Sequence, residues 1–238
     1  MAIERVRHRL GTAVQFVDAF TSKPVDLPLD VRADTLPVAP GMPRVPWRAV
    51  RGPDDQTYRF LVTNETAMPV GNIPVTVSAP GHEYVDFEAF AIALPRPLVA
   101  HPPTPARSDF LVRHALWPTR SLPLPAGETA IVARVVSAGA TPIARLKVTI
   151  WPDGEAQPPS PYTYSTDRGE FVYRLPGLKT VTGGVIASEA SLQIDVKLPP
   201  AYAVSAAPTL IATDTGTPLA VPFPIRLGRV TNLTITLP

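Results

Sequence analysis

The chain contains no cysteine. That absence excludes a disulfide framework and any thiolate zinc site. Charge is scarce as well: 18% of the residues are Asp, Glu, Lys or Arg, and the net charge is +2. Nucleic-acid binding needs a dense basic face, often with aromatic platforms among the charges. Here the arginines form only two small clusters, Arg5/Arg7/Arg9 and Arg44/Arg48/Arg51, which read as solvated surface. No run approaches the roughly 18 apolar residues that cross a bilayer, so no membrane insertion is expected. The basic start, Met1 to Leu10, is followed by no apolar signal core, so a cytoplasmic or particle-associated location is expected. The matches to a glycosylation sequon at Asn64-Glu65-Thr66 and Asn232-Leu233-Thr234 then read as coincidence. A nucleophile elbow and a phosphate-cradling glycine loop are also missing from the sequence.

Proline is what the chain has in excess. It supplies 31 of the 238 residues, about 13% against a usual level of roughly 5%. Each proline removes an amide donor and blocks a helical turn, whereas short strands joined by stiff loops tolerate it. The only helix start is Ser108-Asp109, which would cap a helix through Trp117 and stop at Pro118.

Between the prolines the pattern has a period of two. The organising stretch is Ser165 to Pro176, where Asp167 and Gly169 form a tight turn. After the turn Phe171, Tyr173 and Leu175 share one face, and Glu170 and Arg174 the other. Strands are expected at 10–17, 29–31, 58–63, 74–78, 84–92, 131–136, 146–150, 191–198 and 231–237. Leu233, Ile235 and Leu237 share a face of the last, and residues 191–198 alternate throughout. Residues 35–53 form a proline-rich loop carrying Trp47.

The two halves align. Pro24-Val25, Leu29-x-Val31, an aspartate turn and Tyr58-x-Phe60 correspond to Pro142-Ile143, Leu146-x-Val148, Asp167-x-Gly169 and Phe171-x-Tyr173. A repeat of roughly 100 residues is large enough to fold alone. The expected architecture is therefore all-β: two tandem antiparallel β-sandwiches of the Ig-like or transthyretin-like type. The first spans residues 1–103, a proline-rich connector 104–126, and the second 127–238.

The second copy resembles the carboxypeptidase regulatory-like (transthyretin-like) sandwich through Val135, Gly139, Pro142, Ile143, Val148, Thr166, Asp167, Gly169, Phe171 and Tyr173. The first carries the pattern through Val17, Pro24, Val25, Val31, Tyr58 and Phe60, with Gln56 where the turn glycine would stand. Ala79-Pro80-Gly81-His82 resembles that family's Pro-Gly-aromatic turn, with histidine in the aromatic place. The resemblance implies a non-catalytic module. It also implies a structural accessory protein of a phage-tail-like or contractile injection particle, with other protein subunits as partners.

Catalytic constellations do not assemble. The four histidines, His8, His82, His101 and His114, lack metal-ligand spacing. Tyr162 and Tyr164 are reminiscent of intradiol dioxygenases, but no histidine follows them. Hydroxyisourate hydrolases end in Tyr-Arg-Gly-Ser, and this chain ends Thr236-Leu237-Pro238. Asp54-Asp55 and Asp153-Gly154-Glu155 would suit calcium, although turn chemistry explains them with less. No enzyme, metal or cofactor is expected. The candidate interaction surface is Trp47, Trp117, Trp151, Tyr162 and Tyr164. These would serve either a protein interface, where aromatics are enriched, or glycan stacking in a carbohydrate-binding or adhesion module.

Overall fold

The computed structural model describes residues 8–34, 46–52, 56–63, 71–94, 111–178, 181–182, 185–186, 188–199 and 204–238. Among these residues every regular element is a strand. The chain divides into two compact units, one of residues 1–18 and 22–116, the other of residues 19–21 and 117–238.

The first unit contains β1 (His8–Asp18), β2 (Asp30–Asp34), β3 (Pro46–Arg48), β4 (Val50–Arg51) and β5 (Thr57–Thr63). It continues with β6 (Gly71–Ser78), β7 (Tyr84–Val85), β8 (Phe90–Leu94) and most of β9 (Leu111–Pro118). One sheet runs β4-β5-β1-β9-β7 and the other β3-β2-β6-β8. Alternation turns Val14, Phe16, Tyr58 and Phe60 of the first sheet onto Val31, Ala33, Ile73, Val75 and Ile92 of the second, in one core. The opposite face of β2 carries the exposed ion pair of Asp30 and Arg32.

Residues 111–118 correct two expectations. They form a strand rather than a helix, and they belong to a sheet rather than to a connector. The strand lies parallel to β1, with Ala13 beside Leu111 and Asp18 beside Leu116. That slot satisfies the backbone on a flank of β1, which outweighs the local cap signal. Ser108 and Asp109 themselves lie outside the described residues, as do Asp54, Asp55 and His101.

The second unit contains β10 (Ala130–Ser137), β11 (Lys147–Pro152), β12 (Thr163–Tyr164), β13 (Glu170–Arg174), β14 (Val181–Thr182) and β15 (Val185–Ile186). After them come β16 (Glu189–Leu198), β17 (Val204–Ala206), β18 (Thr209–Ala212), β19 (Thr217–Leu219), β20 (Phe223–Arg226) and β21 (Val230–Leu237). One sheet runs β13-β10-β21-β18-β19. The other runs β12-β11-β16-β17, with β20 also on β16, and β14 pairs β15 separately. Ile131, Val135, Phe171, Leu233 and Ile235 of the first sheet and Val148, Ile150, Leu192, Val196, Phe223 and Ile225 of the second are all buried. The Tyr173 hydroxyl reaches from one sheet to the other, 2.8 Å from the Ile150 carbonyl.

The units share one topology. β5-β1-β9 in the first matches β13-β10-β21 in the second, with an antiparallel neighbour on one side and a parallel closing strand on the other. β2 pairs with β6 as β11 pairs with β16. In each unit the chain leaving the first strand doubles back at a proline: Val17 bridges Pro24, and Val136 bridges Pro142. The next amide then closes the turn, Val25 N–H on Phe16 O at 2.9 Å and Ile143 N–H on Val135 O at 3.1 Å. Gly169 sits at φ +73° before β13, and Gln56 takes φ +51° at the equivalent place before β5.

Candidate functional site

Three of the five aromatic residues meet in the second unit. Tyr162 and Tyr164 flank Thr163 at β12, and Trp117 lies edge-on to Tyr164 with ring centroids 5.6 Å apart. The two tyrosines are themselves edge-on at 5.6 Å. The indole N–H of Trp117 donates to the Tyr162 carbonyl at 2.8 Å, and the indole is buried. Lys147 places its Nζ 3.6 Å from the centroid of the half-buried Tyr162 ring. The quadrupole of the ring attracts the ammonium there.

The other two tryptophans lie apart from this cluster. Trp47, in β3 of the first unit, packs on that unit's core, edge-on to Phe60 at 5.1 Å. Its N–H donates to Leu61 O at 3.0 Å. Trp151 is half-buried at the end of β11, directly across from Gln193. Its N–H donates to Glu155 O at 3.1 Å, so the turn of residues 153–155 folds back beside the ring. Asp153 accepts from Gln193 Nε2 at 2.7 Å, and Asp195 accepts from Gln157 Nε2 at 2.9 Å. This one region joins an indole face to amide and carboxylate groups.

Sequence reasoning missed a paired histidine. His114 Nε2 lies 2.9 Å from Asp86 Oδ1, both side chains being largely buried. The imidazole stacks on Phe90 at 4.1 Å and stands edge-on to Phe16 at 6.2 Å. In the same unit Tyr84 donates its hydroxyl to Asp18 at 2.9 Å. The pair forms because β7 lies beside β9 in the sheet, which brings Asp86, the residue after β7, up to His114. Among the described residues no group of three or more His, Asp or Glu is placed to hold a metal.

A groove in the second unit is lined by Glu189, Asp214, Arg226 and Arg229, with Ile225 and Val230 between them. Its charges offset one another: Arg226 Nε lies 3.7 Å from Glu189 Oε1, with both side chains exposed. Exposed pairs of this kind contribute little.

No protein-family model matches the chain, and no curated relative matches it. Among solved structures it is similar to the Bacillus anthracis TIE protein, at 9% identity and a TM-score of 0.27 over 96% of this chain and 34% of that one. The shaft pilin spaA from Lactobacillus rhamnosus GG aligns at 9% identity and a TM-score of 0.25, over 98% of each chain. The Streptococcal ancillary pilin aligns at 15% identity and a TM-score of 0.24, over 95% of this chain and 62% of that one.

Proposed function

We propose that this chain is a non-enzymatic structural protein that works by contacting other subunits, and that each unit is a carboxypeptidase regulatory-like sandwich. The observation that carries this reading is the role of its aromatic polar groups. All three indole N–H groups donate to main-chain carbonyls of their own units, and the Tyr173 hydroxyl ties two sheets together. These groups hold scaffolds in shape, which is what a building module requires. The Thr166 to Gly169 turn supports the family resemblance, since Gly169 N–H donates to Thr166 O at 2.8 Å and the glycine takes positive φ. The finer proposal is an accessory, particle-associated component of a phage-tail-like or contractile injection assembly. Co-fractionation of the tagged chain with native particles from its source tests it. Elution with tail or baseplate subunits is expected, and elution alone overturns the assembly role.

The geometry around Trp151 favours a second reading, a glycan-binding module. An indole ring opposite Gln193 and beside Asp153 offers a stacking face next to hydrogen-bonding groups. Binding on a glycan array that disappears in Trp151→Ala would favour this reading over the first.

A further inference from the structure

The outer strands of these sheets differ in how they discourage pairing with another chain. An exposed edge presents a row of unpaired backbone donors and acceptors, and proteins blunt it with charge, proline or brevity. β3 begins with Pro46 and carries Arg48, β19 contains Pro218, β20 contains Pro224 and Arg226, and β13 begins with the partly exposed Glu170. β4, β7 and β12 have two residues each, and β17 has three. β8 has none of these devices: it is five residues long and reads Phe90-Ala91-Ile92-Ala93-Leu94. It ends its sheet, with β6 on one side and no neighbour on the other among the described residues. Ile92 is buried in the core, whereas Ala91 and Ala93 face outward and are exposed.

The strand is also its own complement. Reversed about Ile92, it sets Phe90 against Leu94 and Ala91 against Ala93, large residue to large and small to small. A second copy of the same strand therefore matches it residue for residue in side-chain size.

We propose that β8 is a self-association edge: two copies pair their β8 strands antiparallel about a twofold axis through Ile92. In an antiparallel pair, residues directly opposite share a face, so Ile92 meets its counterpart on the core side and alanines meet on the outside. Two four-stranded sheets then join into one continuous sheet, and the interface is isologous. The inference stands independently of the assembly role proposed above.

Sedimentation equilibrium of the full chain, over a series reaching about 100 μM, tests this against two double variants, A91K/A93K and A91E/A93E. The pairing sets position 91 opposite position 93, so each double variant places like charges face to face. A reversible monomer–dimer equilibrium is expected for the parent chain, weakened about tenfold or more in each variant and restored when the two are mixed. Hydrogen exchange on the parent chain gives a check that needs no variant: protection of residues 90–94 should rise with concentration. A parent chain that stays monomeric, variants that associate as tightly as the parent, or protection that ignores concentration would each overturn the proposal.

Discussion

Gly169 and Gln56 occupy equivalent places in the two units and take the same left-handed backbone, yet their surroundings differ. A Cβ on Gly169 would lie 2.3 Å from the Val135 carbonyl oxygen and 3.3 Å from the Ile143 nitrogen. These are backbone atoms of the turn that closes the unit, so no flexible side chain can yield. Gly169→Ala is expected to cost about 2 to 4 kcal/mol, the left-handed penalty plus that clash, read as a lower denaturation midpoint. Gln56 already carries a side chain there and donates Nε2 to Asp26 at 2.9 Å. Gln56→Gly relieves backbone strain, loses an exposed hydrogen bond and frees the unfolded chain, so its stability should stay within about 1 kcal/mol of the parent. Equal losses at the two positions would refute the equivalence of the turns. Tyr173 makes a second prediction at this scale. Burial pushes its phenol from 10.0 up to about 12. The folded state thus holds the proton more tightly than the unfolded one. Stability from this group is complete below pH 10 and declines as pH rises from 10 towards 12, by about 2 to 3 kcal/mol in all. Tyr173→Phe should cost about 1 to 2 kcal/mol at neutral pH and flatten that alkaline decline in pH-dependent urea titrations.

The strands that alternate cleanly were legible from residue order alone, and the others failed for identifiable reasons. In β16 and β21 the buried positions are Leu192, Ile194 and Val196, and Leu233, Ile235 and Leu237, as the period of two requires. β9 hides the same pattern because its inward positions are Val112, His114 and Leu116, and a histidine reads as polar. Its partner Asp86 directly follows β7, 28 residues earlier in the chain, so no local window shows that the ring is accommodated. β20 is disguised differently: Phe223 and Ile225 face the core while Pro224 and Arg226 face out, and two prolines in five residues look like a loop. The aromatic cluster was legible in its members but not in its grouping, since Trp117 and Tyr162 meet across 45 residues of chain. β13 shows a further effect that alternation missed. Its outward Arg174 is buried and forks onto Glu128, with Nη2 at 2.9 Å from Oε2. Removing one partner leaves the other charge desolvated, so Glu128→Ala should cost about 3 kcal/mol or more. Replacing both, as Glu128→Leu with Arg174→Met, should recover much of that loss in the same chemical denaturation assay.

Each unit is completed by a strand that lies far along the chain from its partner. β10 opens the second unit and pairs in parallel with β21, from Ala130 beside Val230 to Ser137 beside Leu237. β21 is central in its sheet, since β18 pairs along its other side and β19 hangs on β18. The inward row Leu233, Ile235 and Leu237 is buried, and full burial of such side chains contributes about 1.5 to 3 kcal/mol each. Removing the strand exposes both flanking edges and takes away a stabilisation comparable to the whole margin of a domain, about 5 to 15 kcal/mol. A chain ending at Arg229 should therefore lose cooperative unfolding of its second unit. The β10 amides from Ile131 to Val135 should exchange hydrogen at rates close to those of the unfolded chain. The first unit closes by the same device, β1 on β9, so its own core amides at Val14 and Phe16 should keep their protection. If Ile131 to Val135 remain protected in the truncated chain, the closing strand is not what completes the sandwich, and the shared topology has no bearing on how either unit is held together.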